Sequence, residues 1–163
     1  MKNAKQLLQE ANAVVPRISA ADGIAKYDAG NSLFIDVRDS GDIAKSGTIA
    51  GALRIPRGFL EFAADENLPY FNTSLSKDAD IVLVCGAGGQ AALAGKTLKE
   101  MGYQNVCNVG GISDWIAAGG KSESGGCGRA SERPIIKTCC RRVKAKKGGF
   151  GPPFRDRSSK DLF

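Results

Sequence analysis

This chain of 163 residues has five cysteines and no histidine, and those two facts frame the chemistry it can offer. Without imidazole, Ser-His-Asp and Cys-His catalysis, His-containing zinc sites and imidazole general bases are excluded together. Among the cysteines, Cys85 stands apart. It ends the apolar run DIVLVC over 80–85 and is followed by Gly86-Ala87-Gly88-Gly89-Gln90. A strand that ends in cysteine and enters a helix through glycines puts the thiol near the free N–H groups and positive dipole end of that helix. Glycines at 86, 88 and 89 let the backbone curl until successive amides converge, which makes a nest for an anion. Such a field favours thiolate over thiol, and the thiolate is the nucleophile. A reachable, ionised sulfur in an anion cradle suits sulfur or oxyanion transfer. The competing reading is structural, because cysteine is among the most buried residue types and often fills a strand end.

Other site chemistries find little support. The phosphate-binding pattern Gly-x-x-x-x-Gly-Lys-Ser/Thr is absent, and 85–90 makes a poor dinucleotide fingerprint without an acidic residue suitably placed downstream. The odd cysteine count, the lack of a C-x-x-C pair and the adjacency of Cys139 and Cys140 argue against a disulfide framework or a zinc site. No metal and no organic cofactor is expected.

The helices and strands around Cys85 can be read from the surrounding pattern. Apolar residues at Ala4, Leu7, Ala11 and Val14 lie on one helical face, and Pro16 ends that helix. Ser19-Ala20-Ala21-Asp22 reads as a capping box opening a second helix that closes near Gly30. Residues 33–38 form a strand, 52–56 a short strand stopped by Pro56, and 57–67 a helix. The uninterrupted apolar character of 80–85 marks a central parallel strand covered on both faces. A helix with Ala91, Ala94, Leu98 and Met101 on one side comes next, capped by Gly102. Then come a strand over 106–109, a turn at Gly110-Gly111, and a helix over 112–118 around Trp115. Strands alternating with helices define an α/β domain: a central parallel β-sheet with helices on both faces.

Composition separates this domain from the C-terminal segment. Residues 1–120 hold 11 Lys/Arg and 13 Asp/Glu, whereas 121–163 hold 12 and 4. The overall charge of +6 therefore belongs to the C-terminal segment, and nucleic-acid binding is not a property to read from it. That segment has six glycines, three prolines and the basic run 141–147 but no sustained periodicity, so it reads as a disordered tail. The expected organisation is an N-terminal helix over 1–16, a domain over 17–120 and a basic tail over 121–163. No apolar run is long enough to span a bilayer and no secretory signal is visible. A reducing, cytoplasmic setting is expected, with no membrane and no specific nucleic acid as partner.

Four segments in order resemble the rhodanese (thiosulfate sulfurtransferase) family over roughly residues 17–119. Phe34-Ile35-Asp36-Val37-Arg38-Asp39 is similar to its first strand motif. Gly47-Thr48-Ile49-Ala50-Gly51-Ala52, followed by Ile55-Pro56, is similar to its Gly-His-Ile-x-Gly-Ala segment. Residues 85–90 lie where its six-residue active-site loop belongs, and Gly110-Gly111-Ile112-Ser113-Asp114-Trp115 resembles its closing Gly-Gly-x-x-x-Trp motif. The resemblance implies a single-domain rhodanese-like sulfurtransferase. Cys85 would take sulfane sulfur from a small anionic donor such as thiosulfate, hold it as a persulfide, and pass it to cyanide, a thiol or a sulfur-relay protein. Gly86, Ala87, Gly88, Gly89 and Gln90 would cradle the persulfide, and Asp36 with Arg38 would form a strand-end scaffold. Gln90 stands where the family usually has arginine or lysine, and Thr48 stands for the histidine. The alternative implied by Gln90 is a catalytically weak or inactive module that binds proteins or carries persulfide. Phosphatases of the related cysteine-loop type place five residues between cysteine and arginine. Here four separate Cys85 from Gln90, and no arginine follows.

Overall fold

The computed structural model describes residues 1–125. In chain order the elements are α1 (Ala4–Val14), α2 (Ala20–Ala29), β1 (Ser32–Asp36), α3 (Ser40–Ser46), β2 (Thr48–Ile49) and β3 (Leu53–Arg54). They continue with α4 (Leu60–Ala64), β4 (Asp80–Cys85), α5 (Gly89–Glu100), β5 (Val106–Gly111), α6 (Ile112–Ala117) and β6 (Ser122–Glu123). Four strands form one parallel sheet in the order β3-β1-β4-β5, so β4 is central, as its uninterrupted apolar sequence requires.

Alternate residues of these strands feed two cores. Ile35, Ile81, Leu83 and Cys85 face one core with Ala91, Ala94 and Leu98 of α5. Phe34, Val82, Val84, Cys107 and Val109 face the other with Trp115. Tyr27, Phe34 and Trp115 make an edge-packed aromatic trio in that second core, with ring centroids 5.5–5.9 Å apart. Helices therefore cover both faces.

Local chemistry sets the helix ends. Asn3 and Gln6 form a reciprocal capping box at the start of α1. The Ser19 side chain accepts from the Asp22 amide at the start of α2, and Gly30 ends that helix at φ 74°. α1 packs on α5 because position 95 is glycine: a Cβ there would lie 2.8 Å from Val15 Cγ1.

Several boundaries differ from those the sequence suggests. α4 spans five residues rather than 57–67, because the chain after Ala64 turns back, with the Asn72 amide donating to the Ala63 carbonyl at 2.8 Å. β5 runs on through Gly110 and Gly111, where a turn is expected, and a register shift opposite Leu83 and Val84 accommodates the extra residue. α3 has no apolar periodicity to announce it. The expected boundary at residue 120 also moves. β6 pairs antiparallel with β2, and the Lys121 carbonyl accepts from both the Ala50 amide and Trp115 Nε1, each at 3.1 Å. The rest of the expected tail, 126–163 with its basic run, lies outside the described residues.

Candidate active site

Cys85 is the last residue of β4, and the carboxyl ends of the parallel strands open beside it, the usual place for a ligand in an open α/β sheet. Gly86 and Ala87 form an exposed bend, and Gly88 turns the chain into α5 with φ 93°. That left-handed conformation aims the Gly88 amide back at the sulfur, to which it donates at 3.0 Å. A side chain at 88 would also meet the Gly110 Cα at 3.2 Å, so glycine is needed for space as well as for conformation. Gly89 is half-buried in the first turn of α5 and Gln90 is exposed. The sulfur is more enclosed than the sequence implies. Cys85 is 2% exposed, because its side chain faces the core beneath α5 and the loop folds over it.

The loop rests on the end of β5. A Cβ on Gly111 would come within 2.6 Å of the Gly86 carbonyl oxygen, so the Gly110-Gly111 pair is what lets loop and strand lie flat together. Asn108 locks this contact. Buried in β5, it donates from Nδ2 to the Gly88 carbonyl at 2.9 Å and accepts from the Gly110 amide at Oδ1 at 2.8 Å. Sequence reasoning passes over Asn108. Its only signal is a polar residue inside an apolar strand, where a buried amide must find partners for both ends.

Asp36 and Arg38 form the scaffold that the motif resemblance implies. Both are buried, and Arg38 Nη2 meets Asp36 Oδ2 at 2.6 Å while its Nε donates to Oδ1 at 3.0 Å. The remaining Arg38 donors reach Ser46 Oγ and the Gly47 carbonyl, each at 2.7 Å. Thr48 Oγ1 donates to Asp36 Oδ2 at 2.7 Å. The hydroxyl at the position where the family usually has histidine thus holds the same carboxylate, and ties β2 to the end of β1.

Cys107 belongs to the opposite core, three pairing rows from Cys85 along the sheet, with its thiol pushed up to about 11 by burial, reinforced by Asp80. It is not placed to resolve chemistry at Cys85. Among the described residues, no group of three or more His, Cys, Asp or Glu gathers to hold a metal ion, and no helix is long and apolar enough to cross a membrane. One further cation lies at the loop. Residues 16–18 run beside β5, with Ile18 N donating to the Asn108 carbonyl and Asn108 N to that of Pro16, both at 2.9 Å. Arg17, between them, lays its guanidinium against Gly88 and Gly110.

The profile of the rhodanese-like domain family matches residues 19–118. A Bacillus subtilis (strain 168) protein, YrkF, whose name assigns it a sulfur-carrier role, is 32% identical over 111 residues, covering 67% of this chain and 54% of YrkF. The chain thus spans about half the length of that relative. Among solved structures, a Rhodopseudomonas palustris protein of unknown function, described as a possible tyrosine phosphatase, is 35% identical with a TM-score of 0.72, covering 76% of this chain and 96% of that one. A human single-domain sulfurtransferase is 25% identical with a TM-score of 0.56, covering 63% of this chain and 96% of that one.

Proposed function

Because this chain belongs to the rhodanese-like domain family, we propose that it is a sulfurtransferase that moves sulfane sulfur through a persulfide on Cys85. The observation that carries the reading is the Gly88 amide donating to Cys85 Sγ at 3.0 Å at the mouth of the parallel sheet. In the first half-reaction the Cys85 thiolate attacks the outer sulfur of a donor such as thiosulfate. A new S–S bond forms, the old one breaks, and sulfite leaves with its electron pair. The terminal sulfur of the persulfide then carries the negative charge. Amides of Gly86, Ala87, Gly88, Gly89 and Gln90 are its cradle in this reading, since converging N–H groups stabilise charge without an added cation. In the second half-reaction cyanide or a thiolate attacks that terminal sulfur, and the Cys85 thiolate is released.

Treatment with a sulfane-sulfur donor is expected to add the mass of one sulfur atom at Cys85, and Cys85→Ser to abolish the addition. A Cys85 that stays unmodified and resists alkylation would rule the mechanism out. The enclosed sulfur makes this a demanding test.

A second reading is favoured by Gln90: a persulfide carrier or protein-binding module that does not take sulfur from thiosulfate. Gln90 donates hydrogen bonds but has no charge, and losing a charge-assisted contact weakens capture of a dianion by about 1.5–3 kcal/mol. Gln90→Arg separates the two readings. If the chain is a sulfurtransferase whose loop is poorly matched to thiosulfate, kcat/KM for thiosulfate rises at least about tenfold. If both proteins are equally inactive while Cys85 is accessible, the binding role stands. A phosphatase reading is not favoured, because neither the loop length nor residue 90 suits three clamped phosphate oxygens.

A further inference from the structure

The sheet mouth holds a cation that the motif pattern does not assign. Arg17 lies outside the loop sequence and outside the matched span of the family profile, yet its edge segment brings it to the loop. A Cβ on Gly88 would lie 3.6 Å from Arg17 Cζ and Nη1, and one on Gly110 only 2.9 Å from Nη2. The guanidinium therefore stands one glycine's width from the amide that touches Cys85 Sγ. Its only ion pair among the described residues is with Asp114 at 4.0 Å, both side chains being more than half exposed. Such a pair is too loose and too wet to neutralise it. Both glycines that seat it have positive φ, so any side chain there would be strained as well as crowding the guanidinium.

We infer that Arg17 is the specificity-determining cation of the Cys85 site, drawing anionic sulfur donors to a loop in which residue 90 is neutral. The inference deepens the sulfurtransferase reading and rests on it. Arg17 touches neither the sulfur nor the cradle amides by hydrogen bond. It acts through its field, so its effect should follow the charge of the incoming molecule and weaken as salt screens it.

Alkylation of the full chain isolates that field, because iodoacetate and iodoacetamide have similar size and the same leaving iodide but differ by one charge. The readout is the ratio of their rates at Cys85, located by mass spectrometry. For unit charges roughly 8 Å apart at a wet protein surface, Arg17→Gln should lower the iodoacetate-to-iodoacetamide ratio about two- to fivefold at low ionic strength. Arg17→Lys should keep the ratio. With thiosulfate, Arg17→Gln should raise KM by a larger factor than it lowers kcat. A ratio that Arg17→Gln leaves unchanged, or that Arg17→Lys lowers equally, overturns the inference, even if Cys85 transfers sulfur. A ratio that falls as expected in a chain unable to form a persulfide would retain the cation and remove the sulfurtransferase reading. If neither reagent reaches Cys85, both fall.

Discussion

A buried carboxylate needs a partner for each oxygen, and Asp36 has them: Arg38 on both oxygens and Thr48 on one. This cluster gives a structural role to Thr48, which stands where the rhodanese motif it resembles has histidine. What the site requires there is a donor aimed at Asp36, and a hydroxyl suffices. Thr48→Val keeps the volume and removes the donor, so it should cost about 1.5–3 kcal/mol, the worth of a hydrogen bond to a charged group. Thr48→Ser should recover a large part of that loss. Urea unfolding of the three proteins checks both. Equal stability of wild type and Thr48→Val would show that the hydroxyl is dispensable. The same residue-level logic applies to Asn108, whose two amide ends hold Gly88 and Gly110 in place. It positions the loop without touching the sulfur.

At the scale of elements, α5 is central to the site. Its N-terminus carries the loop, its body covers one face of the sheet, and its outer side receives α1. The last contact depends on Gly95, whose missing side chain leaves room for Val15 and for Leu83 beneath. Gly95→Val should therefore push α1 away and destabilise the fold by about 1–3 kcal/mol, the usual cost of overpacking. Gly95→Val combined with Val15→Ala should recover part of it. Thermal unfolding with a double-mutant cycle measures the coupling, and purely additive effects would show that the two helices do not meet through these residues. The alternation along β4 and β5 also separates the two buried cysteines. Cys85 faces the α5 side and Cys107 the Trp115 side, so the two thiols lie in different cores.

At the scale of the whole molecule, a separate small antiparallel pair beside the parallel sheet joins distant parts of the chain. β6 reaches back to β2, and Glu123 accepts from Arg54 Nη2 at 2.9 Å and from the Gly51 amide at 3.1 Å. Trp115, fully buried, has its indole N–H answered only through the Lys121 carbonyl among the described bonds. A chain ended after residue 120 loses all of these contacts, whereas one ended after 125 keeps them. The shorter chain should melt at least a few degrees lower, since about 1 kcal/mol shifts Tm by several degrees in a domain of this size. Indistinguishable melting curves would show that the β2–β6 pairing contributes nothing.

Apart from α3, β2 and β6, the order of strands and helices is legible in the amino-acid sequence, as are the central place of β4 and the position of Cys85 before a glycine-rich helix entry. Each is written in neighbouring residues: the unbroken DIVLVC run, the glycines at 86, 88 and 89, and the helix boundaries at Ser19 and Gly30. The buried Asp36–Arg38 pair is legible through its motif. The β2–β6 pair, the enclosure of the Cys85 sulfur and the roles of Asn108 and Arg17 are decided only by the tertiary structure. They depend on which distant segments meet. A pairing such as Thr48 with Glu123 leaves no periodic trace in either segment, because two residues are too few to show a period. Arg17 illustrates the same limit. It lies 68 residues before Cys85 in the chain, and only the pairing of residues 16–18 with Asn108 brings its charge to the loop.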